Sequence, residues 1–596
     1  MSRTFGWVQN PNRLETLKYI TGIFQKDSDS NIDLRTNRLP KLLEYRFITR
    51  EHYDQFILEL SKEKIEISYD LLKGKGLNGA KSRKDAICTG IVQAAIDAHS
   101  SSKFIVREDG NEEKIKKPYV DDWTADGYLR WAVSTGLIKH SPSTDSCKIT
   151  DLGVRLVHAK DTVEEQEVFT QALLSYPPVY RVLEILSDQK PKTKFEIGAQ
   201  LGFQGEMGFT SIPQEIFVYD YSTAPAAKQQ DIKQNEEGDS DKYARTIANW
   251  LSQMKWVKPM YKDVTETYLG TTYTITLRAW QITRAGELAL KKSKGGSSNA
   301  RIPKIVKFEM LATKVPNANY IRLRRAQILN SLKTGKTIAS IQQYLHGSGI
   351  METESVIQDE LDNFQNIGIT ISKDGGKYKL VDIIIGLEIL PSPSAIRKEH
   401  ITELKDKIRK KLHHISHSYL LLVDLAYSDA DTKAKKNLEA KEFEIQTAKL
   451  FTKELDFSGS RLGDSNRPDV ILSYGTQGTI IDNKSYKDGF NLDAGCRDEM
   501  SRYIEENQQR IPGVPSNEWW KSFDPSVTDF TFLFVTSYLK GNFKKGLSYI
   551  STMRKIQGAC VNVENLLYLA ENIKSGKTSY TEFFSLFNNE EIVIGS

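Results

Sequence analysis

Hydrophobic and polar positions in the N-terminal half of the chain repeat as an amphipathic helix, a short apolar strand, a polar hairpin and a second strand. The first copy covers residues 128–153 and ends in Thr150-Asp151-Leu152-Gly153, and the second covers residues 243–286 and ends in Thr283-Arg284-Ala285-Gly286. A weaker third copy covers residues 367–380. A helix followed by a strand, a wing and a strand is the order of a winged helix. The pattern therefore predicts three winged-helix subdomains in tandem.

Tandem winged helices favour a DNA-reading function. In this architecture one helix enters the major groove and the hairpin lies beside the DNA backbone. Winged helices also serve as protein–protein modules, so the fold alone leaves that second function open.

Changes in composition mark the boundaries between segments. Lys291 to Ser298 is a basic stretch rich in Gly and Ser, which is typical of a flexible linker, and Pro391-Ser392-Pro393-Ser394 is a second break. The predicted segments are a first recognition subdomain over 1–162, a second over 163–297, a third over 298–390, a linker over 391–398 and a last domain over 399–596.

The C-terminal segment has a different pattern. Residues 399–426 and 439–455 show helical spacing, and short β-rich runs follow at 470–474, 479–483 and 529–535. Strands flanked by helices predict an α/β domain of about 200 residues.

Composition and charge narrow the class of protein. A chain of 596 residues with 39% hydrophobic and 27% charged residues is expected to form several cores, and its net charge of +5 suits a polyanionic partner. The four cysteines show no metal-ligand spacing, which argues against a zinc site and a disulfide framework. No apolar run approaches the length of a membrane span, so we expect a cytoplasmic protein without a membrane partner.

The distribution of histidines restricts the chemistry of the α/β domain. None of the nine histidines lies beyond His417, so the predicted strands carry no imidazole for general-base or covalent catalysis. Any catalyst there is expected to use carboxylates, lysine and a metal ion.

One predicted hairpin supplies such a set. Asp469 precedes the first strand and Asp482 lies on the second, so the turn brings the two carboxylates close together. Lys484 follows Asp482 at i+2 and therefore projects from the same face. Phosphodiester hydrolysis needs hard oxygen ligands for a small divalent cation and an ammonium that orients water. We expect Asp469, Asp482 and the Asn483 carbonyl to hold Mg²⁺, with Lys484 positioning the water or helping to deprotonate it.

The hairpin motif is short, and two alternatives stay open on the residues alone. An Asp/Lys pair on a strand is also compatible with an ordinary surface hairpin, in which case the chain would be a DNA-binding regulator with an inactive nuclease fold. A nuclease that reads modified bases is the other alternative, although no aromatic cage for a flipped base is evident in the sequence.

Longer stretches resemble one known family over nearly the whole chain. They are Arg3–Pro11, Ser175–Pro178, Gly208–Ser211, Asp241–Arg245, Glu309–Thr313 and Asn517–Lys521, together with the hairpin motif Pro468-Asp469 and Asp482-Asn483-Lys484. These stretches are similar to the FokI family of type IIS restriction endonucleases. The resemblance implies three winged-helix-like (α+β) recognition subdomains and a tethered α/β nuclease domain of the PD-(D/E)xK type, which cuts both DNA strands a fixed distance to one side of an asymmetric site.

The resemblance also implies residues that contact DNA bases. They are Gln9 and Asn10 in an N-terminal arm, Arg83 and Trp123 in the first subdomain, and Glu237, Lys242 and Arg245 in the second. Arg and Lys donate to guanine, Asn and Gln pair with adenine, and Glu accepts from cytosine. Phosphate positioning or a solvated helix face is the alternative role for each of them.

This chain departs from the family pattern at several positions. His99 and Gln234 stand where the family has glutamine and asparagine, so we expect a GGATG-like target and leave open a difference at one or two of its positions. Asp464 and Val470 replace glycines beside the catalytic motif without removing a ligand. Glu444 is a further acid on the preceding helix.

The family also implies partners for the nuclease. Two nuclease domains pair transiently on double-stranded DNA through the helix at 498–509, in which Asp498 and Arg502 occupy the interface positions. In a single chain the same two residues would form an ordinary i,i+4 surface pair. A cognate DNA methyltransferase that protects the host site is implied as well.

Overall fold

The fold is seen in a computed structural model of the chain. The residues that it describes are 5–82, 86–98, 102–106, 112–296, 300–313, 315–389, 398–430, 432–463 and 466–595. Arg83, His99 and Asp464, which the sequence singled out, lie outside these ranges. Within them, no helix combines the length and the apolar composition that crossing a membrane requires.

The first subdomain packs helices around a small antiparallel sheet. Its elements are α1 (Leu14–Gly22), α2 (Asp29–Asp33), α3 (Leu39–Glu44), α4 (Arg50–Leu60), β1 (Glu66–Ser68), α5 (Tyr69–Lys73), α6 (Ile91–Ala95), β2 (Ser102–Val106), β3 (Glu112–Lys116), α7 (Asp122–Ser134), β4 (Ile138–Ser141), β5 (Ser146–Ile149) and α8 (Asp151–Val157). The Asp121 side chain caps α7 by accepting a hydrogen bond from the Thr124 N–H. Strand β5 pairs with β4 and β1, which gives the predicted helix, strand and wing.

The second subdomain repeats this order with a much longer wing. Its elements are α9 (Thr162–Leu174), α10 (Pro177–Ile185), β6 (Lys192–Thr193), α11 (Lys194–Gly198), α12 (Gln214–Thr223), α13 (Ala226–Asn235), α14 (Asp239–Gln253), β7 (Val257–Tyr268), β8 (Thr271–Ile282) and α15 (Arg284–Lys294). Strands β7 and β8 have 12 residues each and pair along their whole length. The wing therefore extends well beyond the subdomain core and carries its tip at Leu269 and Gly270.

The third subdomain is smaller. Its elements are β9 (Lys304–Ile305), α16 (Ala318–Ser331), α17 (Ile338–Gly347), α18 (Glu354–Asn366), β10 (Ile371–Asp374), β11 (Lys377–Leu380) and β12 (Ile384–Ile385). Strands β10 and β11 form an antiparallel wing after α18, as the third copy of the pattern predicts.

One apolar cluster runs through all three recognition subdomains. Trp131 of α7 stacks on Trp250 of α14 with ring centroids 4.3 Å apart, and Trp7 of the N-terminal arm donates from Nε1 to the Met310 carbonyl of the third subdomain. Because these aromatic side chains are buried, separating the subdomains would expose a large apolar area. The recognition subdomains therefore share one core.

The C-terminal domain is an α/β fold, as predicted. Its elements are α19 (His400–Arg409), α20 (Leu421–Ala426), α21 (Lys433–Lys449), β13 (Ser458–Arg461), β14 (Val470–Tyr474), β15 (Gln477–Lys484), α22 (Ala494–Gln509), β16 (Asp529–Thr536), α23 (Phe543–Arg554), β17 (Gln557–Asn562), α24 (Val563–Lys574), α25 (Tyr580–Ser585) and β18 (Glu590–Glu591). The strands lie in numerical order in one sheet, antiparallel from β13 to β15 and parallel from β15 to β18.

Alternate residues of the central strands fill two cores. Leu533 and Val535 of β16 pack into the cluster on one face of the sheet, while Phe532 and Phe534 pack into the cluster on the other. The sheet is therefore covered on both faces, which explains why its strands are almost continuously apolar.

One predicted helical run is interrupted. The spacing over 399–426 suggested one helix, but α19 ends at Arg409 and α20 begins only at Leu421. A distant residue accounts for the interruption. The Glu571 carboxylate accepts hydrogen bonds from the His414 and Ile415 N–H groups and holds the segment between the two helices in a turn.

Candidate active site and DNA interface

A tight hairpin places the first two candidate residues side by side. Strands β14 and β15 pair from Tyr474–Gln477 to Val470–Ile481, so a two-residue turn joins them. Gly475 has φ +58° in this turn, a conformation that glycine adopts without strain. Just beyond the last pair, the Asn483 N–H donates to Asp469 Oδ2 at 2.6 Å. The hairpin register therefore brings Asp469 next to the end of β15.

Lys484 lies on the same face as Asp482, as strand alternation predicts. Its Nζ is 2.8 Å from Asp482 Oδ2 and 3.2 Å from Glu499 Oε2 of α22. Burial opposes the charge on Lys484, but Asp482 and Glu499 raise its pKa. The side chain is therefore an ammonium donor at this site. Sequence reasoning missed Glu499, because α22 carries no motif that marks it.

The two candidate carboxylates lie in a poorly solvated place, with Asp482 buried and Asp469 half-buried. Asp482 is 4% exposed, and burial raises its pKa although Lys484 opposes the shift. Burial, Glu444 and Asp482 raise the pKa of Asp469 well above its usual range. Glu444 Oε2 in turn accepts from Arg461 Nε at 2.8 Å. The site thus concentrates negative charge in a poorly solvated place, which a divalent cation would neutralise.

The donor set fits a small hard cation. Among the described residues, no group of three or more His, Cys, Asp or Glu side chains forms a cluster that could hold a metal. Two carboxylates and the Asn483 main-chain carbonyl, with water completing the shell, would form an oxygen set of the kind that Mg²⁺ prefers, because this ion keeps several waters.

An N-terminal arm lies across the second subdomain at the candidate DNA interface. Gln9 Nε2 donates to Asp239 Oδ1 at 3.3 Å, and the Asn10 N–H donates to Thr246 Oγ1 at 3.4 Å, both on α14. Gln9 and the exposed ring of Trp123 line one cleft, together with Arg130 and Tyr243. The structure therefore brings the arm, the start of α7 and α14 to one surface.

The other recognition candidates lie at the beginning of α14. Lys242 Nζ is 3.6 Å from Asp239 Oδ1, and Arg245 Nη2 is 3.2 Å from Glu237 Oε2. Glu237 is only 4% exposed and also pairs with Lys194. In this structure its carboxylate therefore holds two cations in place and does not face solvent. Lys194 was missed from the sequence because it lies 43 residues away.

Comparison with known proteins identifies the family to which this arrangement belongs. Family models match in order along the chain: FokI recognition domain subdomain 1 at residues 3–159, subdomain 2 at 165–291, the FokI D3 domain at 311–376 and the FokI cleavage domain at 398–593. The type II restriction enzyme FokI of Planomicrobium okeanokoites is 35% identical over 602 residues, which cover 99% of each chain. The chain belongs to the FokI family of type IIS restriction endonucleases.

Other relatives of the FokI family agree. The type II restriction enzyme StsI of Streptococcus sanguinis is 32% identical over 525 residues, covering 85% of this chain and 83% of StsI. A solved structure of FokI has a TM-score of 0.86 at 34% identity and covers 100% of both chains. A structure of FokI bound to DNA has a TM-score of 0.87 at 34% identity and covers 99% of this chain and 100% of that one. The chain is thus a site-specific endonuclease, of a class that uses a divalent metal ion.

The nuclease domain is docked on the recognition subdomains. Lys441 Nζ of α21 lies 2.8 Å from Asp220 Oδ2 and 2.6 Å from Glu236 Oε1 of the second subdomain. Asp359 of the third subdomain pairs with Arg409 at 3.0 Å and with His417 at 2.9 Å. These charged contacts cross the interface at two separate places.

The contacts of the second subdomain reach the segment that leads into Asp469. Tyr268 at the end of β7 donates from its hydroxyl to the Arg461 carbonyl at 2.6 Å. Arg467 donates from Nη1 to the Tyr219 hydroxyl of α12 at 3.0 Å, and the two tyrosine rings pack at 4.9 Å. The second subdomain therefore contacts the segment that leads into Asp469 through two tyrosine side chains.

Helix α22 carries the two candidate dimer residues on its surface. Asp498 is exposed, and Arg502 Nη1 pairs with Glu506 Oε1 at 3.1 Å. Within one chain, the i,i+4 partner of Arg502 is therefore Glu506, which follows it in the helix.

Proposed function

We propose that this chain binds double-stranded DNA at an asymmetric, GGATG-like site and hydrolyses phosphodiester bonds at a fixed distance outside it. The observation that carries the proposal is the convergence of Asp469, Asp482 and Lys484 in a domain attached to tandem winged helices. The relative that is solved bound to DNA shares this fold over its whole length. The alternative of a regulator with an inactive nuclease fold does not account for an intact catalytic set.

Each catalytic residue has a distinct task. Asp469, Asp482 and the Asn483 carbonyl would hold Mg²⁺, which supplies charge neutralisation at the scissile phosphate when bound. The Asn483 N–H fixes the orientation of Asp469, and Glu499 gives the Lys484 ammonium a second carboxylate partner beside Asp482. Lys484 would form a hydrogen bond with the attacking water through its ammonium group and so position the water toward phosphorus.

The recognition surface has its own division of tasks. Gln9 and Asn10 of the arm, Trp123 and Arg83 of the first subdomain, and Lys242 and Arg245 of α14 contact bases or their adjoining phosphates. Glu237 supports this surface by fixing Arg245 and Lys194. Loss of Glu237 would therefore leave the Lys194 and Arg245 side chains without the carboxylate that positions them.

Cutting requires that the nuclease domain leave its docked position, because the second subdomain covers the segment before Asp469. Two released domains on one DNA then pair transiently through Asp498 and Arg502 of α22, and each cuts one strand. A cognate methyltransferase that modifies the same site would protect the host genome.

The effect of removing Mg²⁺ tests DNA binding and DNA cutting separately. With Mg²⁺, purified protein is expected to linearise a plasmid that carries the site. With a chelator, cutting is expected to stop while retardation of target DNA in a gel persists, because recognition residues need no metal. Cutting that continues undiminished in the chelator would contradict the metal assignment. A strict preference for methylated plasmid would favour the modification-dependent alternative.

A further inference from the structure

The cations closest to the catalytic carboxylates already have carboxylate partners. Lys484 lies between Asp482 and Glu499, and Arg461 donates to Glu444. Each of these positive charges is balanced inside the site. Apart from the metal ion at the scissile phosphate, a neighbouring DNA phosphate therefore needs a further cation of the protein to face it.

Arg467 is such a cation, because the described part of the chain gives it no carboxylate partner. Its Nη1 donates to the neutral hydroxyl of Tyr219, and its Nε is shielded from solvent with no hydrogen-bond acceptor. A buried donor left unpaired costs free energy, and native proteins keep few of them. The unpaired Nε is explained if the Arg467 guanidinium binds an acceptor in another conformational state of the enzyme.

The position of Arg467 points to a phosphate as that acceptor. Only Pro468 separates it from Asp469, so the Cα atoms of Arg467 and Asp469 lie within roughly 7 Å along the chain. A planar guanidinium matches phosphate oxygens with two parallel hydrogen bonds, which a lysine or a tyrosine hydroxyl does not. The side chain is thus placed to reach the strand held at the two catalytic carboxylates.

We propose that Arg467 contacts a DNA phosphate beside the scissile bond, and that Tyr219 holds its guanidinium while the nuclease domain is docked on the second subdomain. The inference rests on the function proposed above. Because Tyr219 lies on the second subdomain, which contacts this segment while the nuclease domain is docked, the phosphate contact forms after the Tyr219 contact breaks. Arg467 therefore exchanges a partner in the recognition region for one on the substrate.

The test is single-turnover cleavage of a target duplex in which one phosphate near the cut at a time is replaced by an uncharged methylphosphonate. We expect one replacement to slow the wild-type enzyme roughly 10- to 100-fold, the range for losing a hydrogen bond between charged groups. Arg467→Ala should be slower by a similar factor on normal DNA and insensitive to that same replacement. A plot of the logarithm of its cleavage rate against the logarithm of salt concentration should also be less steep, by about one unit of slope.

Control variants separate a phosphate contact from a structural effect. Arg467→Lys should keep part of the sensitivity to the uncharged phosphate, and Lys577→Ala, which removes an exposed cation after the end of α24, should behave as wild type. Gel retardation of target DNA should be equal for all variants, because recognition lies in the N-terminal subdomains. If Arg467→Ala stays as sensitive to the same replacement as wild type, the inference is wrong.

Tyr219→Phe tests the holding contact separately. It should cut target DNA at the wild-type rate with unchanged sensitivity to the uncharged phosphate, and it should cut DNA without a target a few-fold faster. A loss of target cutting as large as that of Arg467→Ala would show Tyr219 to be a brace of the active site and would overturn the holding role. If the wild-type enzyme and Asp482→Ala were both inactive, the proposed function would fail first and this inference with it.

Discussion

Replacement of Asp482 by alanine should abolish DNA cutting and leave DNA binding intact. The variant removes one of two carboxylates that would hold the metal, and it removes the group that fixes Lys484 Nζ at 2.8 Å. Loss of metal charge stabilisation is worth several kcal/mol, so we expect single-turnover cleavage to fall by at least about 1,000-fold. The measurement is the cleavage rate at saturating enzyme on a duplex that carries one target.

The stability of this variant provides the control. In the metal-free enzyme, burial raises the pKa of Asp482, so its charge opposes folding at neutral pH. Asp482→Ala should therefore unfold at a temperature no lower than wild type, and Lys484 keeps Glu499 as a partner. Retention of cutting to within ten-fold of wild type would remove Asp482 from the catalytic set.

Charge reversal on α22 should separate pairing of nuclease domains from catalysis. In the proposed two-fold symmetric pair, Asp498 of one domain would face Arg502 of the other, twice. Asp498→Arg or Arg502→Asp alone would bring like charges together, which costs several kcal/mol, and should lower double-strand cutting by about 100-fold or more. Asp498 is exposed in the single chain, so its replacement leaves the fold unchanged.

Mixing the two variants is the decisive control. Each one alone repels its own copy, but the two together restore opposite charges across the interface. We expect an equimolar mixture to recover most of the wild-type cutting of a plasmid with one target. If each variant cuts as wild type, or if the mixture stays inactive, α22 is not the pairing surface.

The hairpin of the candidate active site could be predicted from the sequence because its geometry is local. The alternation of side chains along β15 places Asp482 and Lys484 on one face, and a two-residue turn brings Asp469 to them. The same holds for the winged helices, whose helix, strand and wing follow one another directly along the chain.

Contacts between distant segments could not be predicted in this way. Tyr219 and Arg467 are 248 residues apart, and neither lies in a periodic pattern that points to the other. Glu571 breaks the predicted helical run at His414 from 157 residues away. The family resemblance implies a base contact for Glu237, yet its carboxylate is buried and pairs with Lys194 and Arg245. In each case a long-range partner decides the structure.

The central claim is that one chain reads an asymmetric site and cuts outside it with the Asp469–Asp482–Lys484 set. Its most direct test is run-off sequencing of a plasmid library digested by purified protein in Mg²⁺, with Asp482→Ala treated in parallel. We expect cuts at a fixed distance to one side of a single asymmetric, GGATG-like motif, all absent with the variant. Binding by both proteins with no cutting by either, or cuts unrelated to any motif, would contradict it.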